Sequence, residues 1–203
     1  MSDIDEFDLN AGDELLAGAH GGPGDPLPDD MHPVARFLIW AIDWFSEWQG
    51  RIVALMVVPI IFAMVYEVIA RKFFIAPTLW AFDVSRMLYG MSFMLGAAYA
   101  LMKGLHIRAD FLYRGFTVKT QGRVDLILYI VLFMPGMLFL LYAGYEFSLK
   151  SFLQNESAGD STWAPIVWPV KMALTLGVFF LVMQGISEIL KSWYAATRGK
   201  WPR

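Results

Sequence analysis

In the stretch LMKGLHIRADFLYRGF, Leu101 to Phe116, a histidine, an arginine and an aspartate fall within five residues: His106, Arg108 and Asp110. If a helix continues past Gly104, His106 and Asp110 share a face at i,i+4. Three chemistries suit such a pair at the edge of an apolar run. A bis-histidine haem needs two intramembrane histidines, and the other two, His20 and His32, lie in the N-terminal tail. A metal site needs further ligands at suitable spacing, and none is visible. A proton relay fits the titration of histidine near neutrality, but no other ionisable group converges on the pair. The preferred reading is an anchor: His106 pairs with Asp110, and Arg108 and Arg114 meet lipid phosphate or a partner.

The other charged residues in apolar surroundings also read as pairs. Glu67 and Arg71 are i,i+4 in the favourable order. Asp83 and Arg86 are three apart in a first helical turn, where an acid suits the N-terminus. Lys171 can snorkel to a surface, and Glu188 lies three residues from Lys191. No charge is expected at mid-membrane. No nucleophile–base constellation is evident, so enzyme activity has no support, and no metal or other cofactor is implied.

The elements that must position these residues follow from composition. The chain has 203 residues, 57% hydrophobic and only 17% charged, and its apolar residues come in long runs. That is the membrane signature. Absence of cysteine excludes disulfides and thiolate metal sites. Residues 1–32 hold nine acids and no Lys or Arg. They read as a disordered acidic tail rather than a cleaved signal peptide, so the first membrane segment is expected to stay as an anchor.

Four spans are expected, at about 52–70, 80–102, 126–145 and 163–190, in a membrane domain over 51–193 followed by a basic tail, 194–203. Each approaches the roughly 20 residues needed to cross a hydrocarbon core. Pro59 and Pro135 inside spans are tolerated and can kink them. Residues 33–50 read as an interfacial amphipathic helix, with a bend near Gly50 before the first span; the alternative is that this segment simply extends the first helix out of the membrane. The fold class is thus all-α, with four transmembrane helices and an N-terminal amphipathic helix. Eleven Lys and Arg lie near one set of span ends and five near the other. That puts both termini and the 103–123 loop in the cytoplasm, and the 155–160 loop outside. Trp80, Trp163 and Trp168 would mark the outer interface. On the second span Ser92, Gly96, Ala100 and Gly104 form a small-xxx-small stripe that lets another helix approach, in this chain or another.

From Pro77 to Tyr113, PTLWAFDVSRMLYGMSFMLGAAYALMKGLHIRADFLY, the chain resembles the small membrane (Q) subunit of tripartite ATP-independent periplasmic (TRAP) transporters. The matching features are Trp80, the acid–x–x–Arg step Asp83–Arg86, Leu95–Ala98, and the run Gly104 to Asp110. The acid is more often Glu, so Asp83 departs mildly. The likeness continues through GRVDLI and WPVKMALTLG, about Val34 to Trp193 in all. The resemblance implies a scaffold subunit of the inner membrane. It would work with a large elevator-type membrane subunit holding the substrate and sodium sites, and with a periplasmic solute-binding protein. Uptake of organic acids would be driven by an ion gradient. Trp80, Asp83, Arg86, His106, Arg108 and Asp110 would then be interface or anchor residues, and Ser92, Gly96, Ala100 and Gly104 subunit-packing residues. Two rivals stand beside it: a self-sufficient small transporter, and an accessory membrane subunit of a respiratory enzyme.

Overall fold

The computed structural model of the chain describes residues 27–28, 30–104 and 116–202. His106, Arg108, Asp110 and most of the acidic tail lie outside the described residues. The elements in chain order are α1 (Pro33–Ala54), α2 (Val57–Phe73), α3 (Ala81–Met102), α4 (Val118–Leu128), a five-residue π-helical stretch (Tyr129–Phe133), α5 (Met134–Leu153) and α6 (Trp168–Arg198). Among the described residues the only β feature is an isolated bridge, Ser157 with Ile166. The fold is all-α, as expected.

Both prolines act on the carbonyl four residues back. Pro59 cannot donate to Leu55, and its ring crowds that carbonyl. There the chain changes to i→i−3 bonds: Leu55 to Ile52, Met56 to Val53 and Val58 to Leu55, at 3.1, 3.0 and 3.1 Å. The break between α1 and α2 thus falls at Leu55–Met56, and α1 runs unbroken through Gly50, where the bend was expected. Gly50 has another use: a Cβ there would stand 2.5 Å from the Tyr99 ring, so the glycine lets α1 lie close on α3. Pro135 likewise leaves the Val131 carbonyl without its usual partner, and the helix widens into the π stretch over Tyr129–Phe133.

α6 is the hub, touching α1, α3, α4 and α5. Beside Val178, Leu181 and Val182, its inward positions are small or polar, including Ala173, Gly177, Gly185, Ser187, Ser192, Ala195 and Ala196. Added Cβ atoms at Gly177 and, on α4, Gly122 would meet neighbouring backbone at 2.6 Å: the Met94 carbonyl oxygen and the Ala196 nitrogen, respectively. Membrane helices pack in this way when small residues bring backbones together, because lipid supplies little hydrophobic drive between helices. The outer surfaces of α2, the π-helical stretch and α5 are apolar and exposed, with Phe62 70%, Leu132 72% and Phe139 74% accessible.

Three helical stretches are long and apolar enough to cross a membrane, counted among the described residues: Pro33–Phe73, Val118–Leu153 and Trp168–Arg198. The chain is a membrane protein by this measure. α3 has 22 residues but is not among the three. Asp83, Ser85, Arg86 and Ser92 dilute its apolar content, while it packs between α1–α2 and α6.

The first helix is not laid out as expected for a surface amphipathic helix. Its buried face carries Ile39, Ile42, Ser46, Gln49 and Val53. Its exposed face carries a row of rings, Phe37, Trp40, Trp44 and Trp48, with successive centroids 6.2, 6.5 and 6.2 Å apart. Ser46 and Gln49 thus face the bundle among apolar residues, and the row of rings faces out. The end of the acidic tail is also placed: Tyr194 Oη donates to Asp30 at 2.8 Å, and Met31 is buried.

Candidate functional site

The polar residues gather in two places. The first is a buried cluster between α1 and α6. Lys191 Nζ lies 2.8 Å from Asp43 Oδ2 and 2.9 Å from Glu188 Oε1. Gln184 Nε2 donates to Asp43 at 3.0 Å and to Glu188 at 3.3 Å, Ser187 Oγ donates to Asp43 at 2.8 Å, and Ser46 Oγ donates to Gln184 Oε1 at 2.7 Å. Glu188, Gln184 and Ser187 are all but sealed from solvent. The pairing of Glu188 with Lys191 was expected from spacing. The involvement of Asp43, assigned above to an interfacial helix, was not. Its signal was the register Gln184, Ser187, Glu188, Lys191, which puts four polar groups on one face of an apolar helix. Each donor has an acceptor, so the arrangement fastens helices and holds no vacant polar position.

The second place is the end of the bundle where α2 meets α3 and α5 meets α6. Glu67 binds Arg71 at 2.5 Å, as the i,i+4 spacing suggested, and also accepts from the Thr78 N–H at 2.9 Å and from the Thr78 hydroxyl. Asp83 is buried, accepts from Ser161 Oγ, and has Arg86 at 3.6 Å. Arg86 turns chiefly to Asp160, at 2.5 Å. Lys171 does not snorkel alone: it pairs with Glu156 at 2.5 Å and lies 3.8 Å above the Phe147 ring. Trp80 stacks on Tyr66 at 5.7 Å, and Trp168 meets Phe152 edge-on at 5.2 Å. The loop 154–167 is therefore stitched to α3 and α6 by charges that the sequence assigned only to helix ends.

That loop carries a pH dependence. The hydrogen bond from Lys171 holds the Glu156 carboxyl below its ordinary 4.5, and the bond from Arg86 holds Asp160 below 3.8. With folded values depressed, the pairing is fully present above the ordinary carboxylate range and is lost as pH falls through the depressed values. Amide exchange in 155–167 is expected to accelerate on acidification below about pH 4, after correction for intrinsic rates, and Glu156→Gln is expected to remove part of that response. Exchange that tracks intrinsic rates down to pH 3 would contradict these pairings.

The small-residue stripe lies on α3 and just beyond its end. Ser92, Gly96 and Ala100 lie on α3 and are half-buried. A Cβ on Gly96 would meet only Val53 Cγ1, at an ordinary 3.7 Å. Gly104 lies beyond the last helical residue; at φ 66 it takes the left-handed conformation that ends helices. α3 therefore ends before Gly104; His106 and Asp110 lie outside the described residues. Within this chain, a close approach on this helix is at Met94, against Gly177.

An all-helical membrane bundle whose inward polar groups are tied to one another defines a membrane-embedded component, without catalytic apparatus among its described residues. The model of the family "Tripartite ATP-independent periplasmic transporters, DctQ component" matches residues 60–195, more than half of the chain. The chain belongs to that family, and so is the small component of a TRAP transporter and not an enzyme. It is 25% identical over 158 residues to the sialic acid TRAP transporter permease protein SiaT of Haemophilus influenzae (strain 86-028NP). The match takes in 77% of this chain but spans only a quarter of that relative's length. No solved structure matches the chain.

Proposed function

We propose that this chain is the scaffold part of a secondary TRAP uptake system in the inner membrane. It crosses the bilayer four times, through α1–α2, α3, α4–α5 and α6, with both termini in the cytoplasm. It packs against the large elevator-type permease portion, which carries the substrate and coupling-ion sites, and helps dock the periplasmic solute-binding protein at the end bearing Arg71, Arg86 and Asp160. Uptake is driven by an ion gradient, with sodium as the coupling ion, and the cargo is an organic acid. Trp80, Asp83 and Arg86 hold the outer end of α3. His106, Arg108 and Asp110 are assigned to its cytoplasmic end, and Ser92, Gly96, Ala100 and Gly104 to packing.

The observation that supports this reading most is how the polar side chains are used. The buried cluster on α6 fastens α1, and the outer-end cluster fastens the 154–167 loop. A self-sufficient transporter needs polar groups converging on a cargo, whereas these are bonded to each other. Membership of the DctQ family displaces the respiratory-subunit alternative.

Topology is testable directly because the chain has no cysteine. Lys119 and Gly159 are exposed, and a side chain at Gly159 meets nothing within 4 Å. In intact spheroplasts, Gly159→Cys is expected to react with a membrane-impermeant thiol reagent and Lys119→Cys to resist it until lysis. The reverse pattern contradicts the four-span arrangement with cytoplasmic termini.

A further inference from the structure

We propose that the acidic N-terminal segment, residues 1–29, docks on the basic face at the end of the bundle where α4 begins and α6 ends. The contact lies within one chain and is electrostatic. It does not depend on the TRAP reading.

The last acid before α1 is already seated on that face. Asp30 accepts from Tyr194 Oη at 2.8 Å and lies 3.8 Å from Arg198 Nε, and Met31 beside it is buried. α4 closes on the same end: its Gly122 abuts Ala196, and a Cβ on Gly199 would stand 3.1 Å from Lys119 Cε. Exposed cations thus surround the end of α6: Lys119 and Arg123, one turn apart on α4, with Arg198 and Lys200. Among the described residues no ion pair holds Lys119, Arg123 or Lys200. The neighbouring acids do not cancel this charge. Asp125 is buried, and Asp43 and Glu188 are taken up by Lys191.

The sequence supplies the complement. Residues 1–29 carry eight acids and no Lys or Arg, so the segment holds no strong cation of its own. Tyr194 and Arg198 lie on a different side of α6 from Ser192 and Ala196, which face α4, so the segment has to cross the end of α6. Two interaxial spacings amount to about 16–20 Å. Asp25 is five residues before Asp30 and Glu14 sixteen. An extended chain covers at most about 3.3–3.6 Å per residue, so Asp25 can reach the nearer cations and Glu14 the farthest. Each exposed pair contributes little alone. The tether changes that, because a short link holds the acids at an effective concentration in the millimolar range about the cations. Anionic lipid headgroups share the chemistry of the acids, but they have neither that tether nor a carboxylate already in place.

Zero-length carbodiimide coupling of carboxylates to lysine amines tests this in the purified full chain. Because residues 1–35 lack Lys and Arg, trypsin releases the segment in one peptide ending at Arg36, and fragment masses show which adducts use an acid before Asp30. Such adducts are expected at Lys119 and Lys200, and not at Lys72, exposed at the opposite end of the bundle. Arg123→Glu, at an exposed position, is expected to lower the Lys119 adduct at least about threefold. Salt at about 1 M, where the Debye length is about 3 Å, is expected to remove most of it. In nanodiscs of phosphatidylcholine containing phosphatidylglycerol the adducts are expected to persist. Adducts no more frequent at Lys119 and Lys200 than at Lys72 overturn the proposal, and so does an unchanged yield in Arg123→Glu. The comparison of Lys119 with Lys72 is made on the unaltered chain, so it decides even if Arg123→Glu fails to fold. Adducts that join isotopically heavy to light chains in a mixture place the contact between copies and also overturn it. Loss of the adducts when phosphatidylglycerol is added gives the face to lipid headgroups and overturns it as well.

Discussion

Replacing Lys191 with methionine is expected to be the most damaging single change in the bundle. Its ammonium lies within hydrogen-bond distance of both Asp43 and Glu188, and all three side chains are largely buried. Methionine keeps the volume and removes the charge, which leaves two carboxylates facing each other in a site that water does not reach. Breaking a buried pair on one side costs about 3–5 kcal/mol. The loss should appear as a lower melting temperature of the purified chain in mild detergent, followed through its eight tryptophans. Neutralising the whole cluster, with Asp43→Asn and Glu188→Gln added to Lys191→Met, is expected to recover most of it, because no uncompensated charge then lies inside. If Lys191→Met melts with the parent, the cluster does not hold α1 to α6.

The second large effect is at Gly177. A methyl group there would sit 2.6 Å from the Met94 carbonyl oxygen and 2.8 Å from its carbon. These are backbone atoms of α3 and cannot swing aside, so α3 and α6 must separate. Gly177→Ala is expected to cost about 1–3 kcal/mol, as overpacking does. Gly96→Ala on α3 meets Val53 at only 3.7 Å, and alanine is the better helix former by up to about 1 kcal/mol. It should be neutral or slightly stabilising in the isolated chain. The same melting experiment separates the two; equal effects would contradict the closeness of α3 and α6 at Gly177.

That contrast shows what was legible in the sequence. The run of small residues on α3 announced close packing, and close packing occurs on that helix. Within this chain it occurs at Met94, where the glycine that permits it belongs to α6. A stripe read along one helix cannot say which neighbour supplies the missing side chain. Pairs set by helical spacing, Glu67–Arg71, Asp83–Arg86 and Glu188–Lys191, were legible because i,i+3 and i,i+4 geometry is local. Their second partners, Thr78, Asp160 and Asp43, were not, since each lies outside the helix that carries the pair and depends on how the chain folds back on it. Asp43 misled for a further reason. A helix with aromatics on one face and acids on another looks the same whether its polar side meets water or the core of a membrane bundle. The break at Leu55–Met56 was readable from Pro59, four residues on, and Gly50 drew attention from it.

Reconstitution tests the scaffold assignment most directly. Liposomes holding this chain alone, given an inward sodium gradient and a radiolabelled organic acid recognised by the cognate binding protein, are expected to show no uptake above protein-free vesicles. Liposomes holding the chain with the large permease polypeptide, supplied with that binding protein outside, are expected to accumulate the acid, and omitting either partner or the gradient is expected to abolish accumulation. Gradient-dependent uptake by this chain alone, or full uptake by the large polypeptide without it, would contradict its role as the scaffold of the transporter.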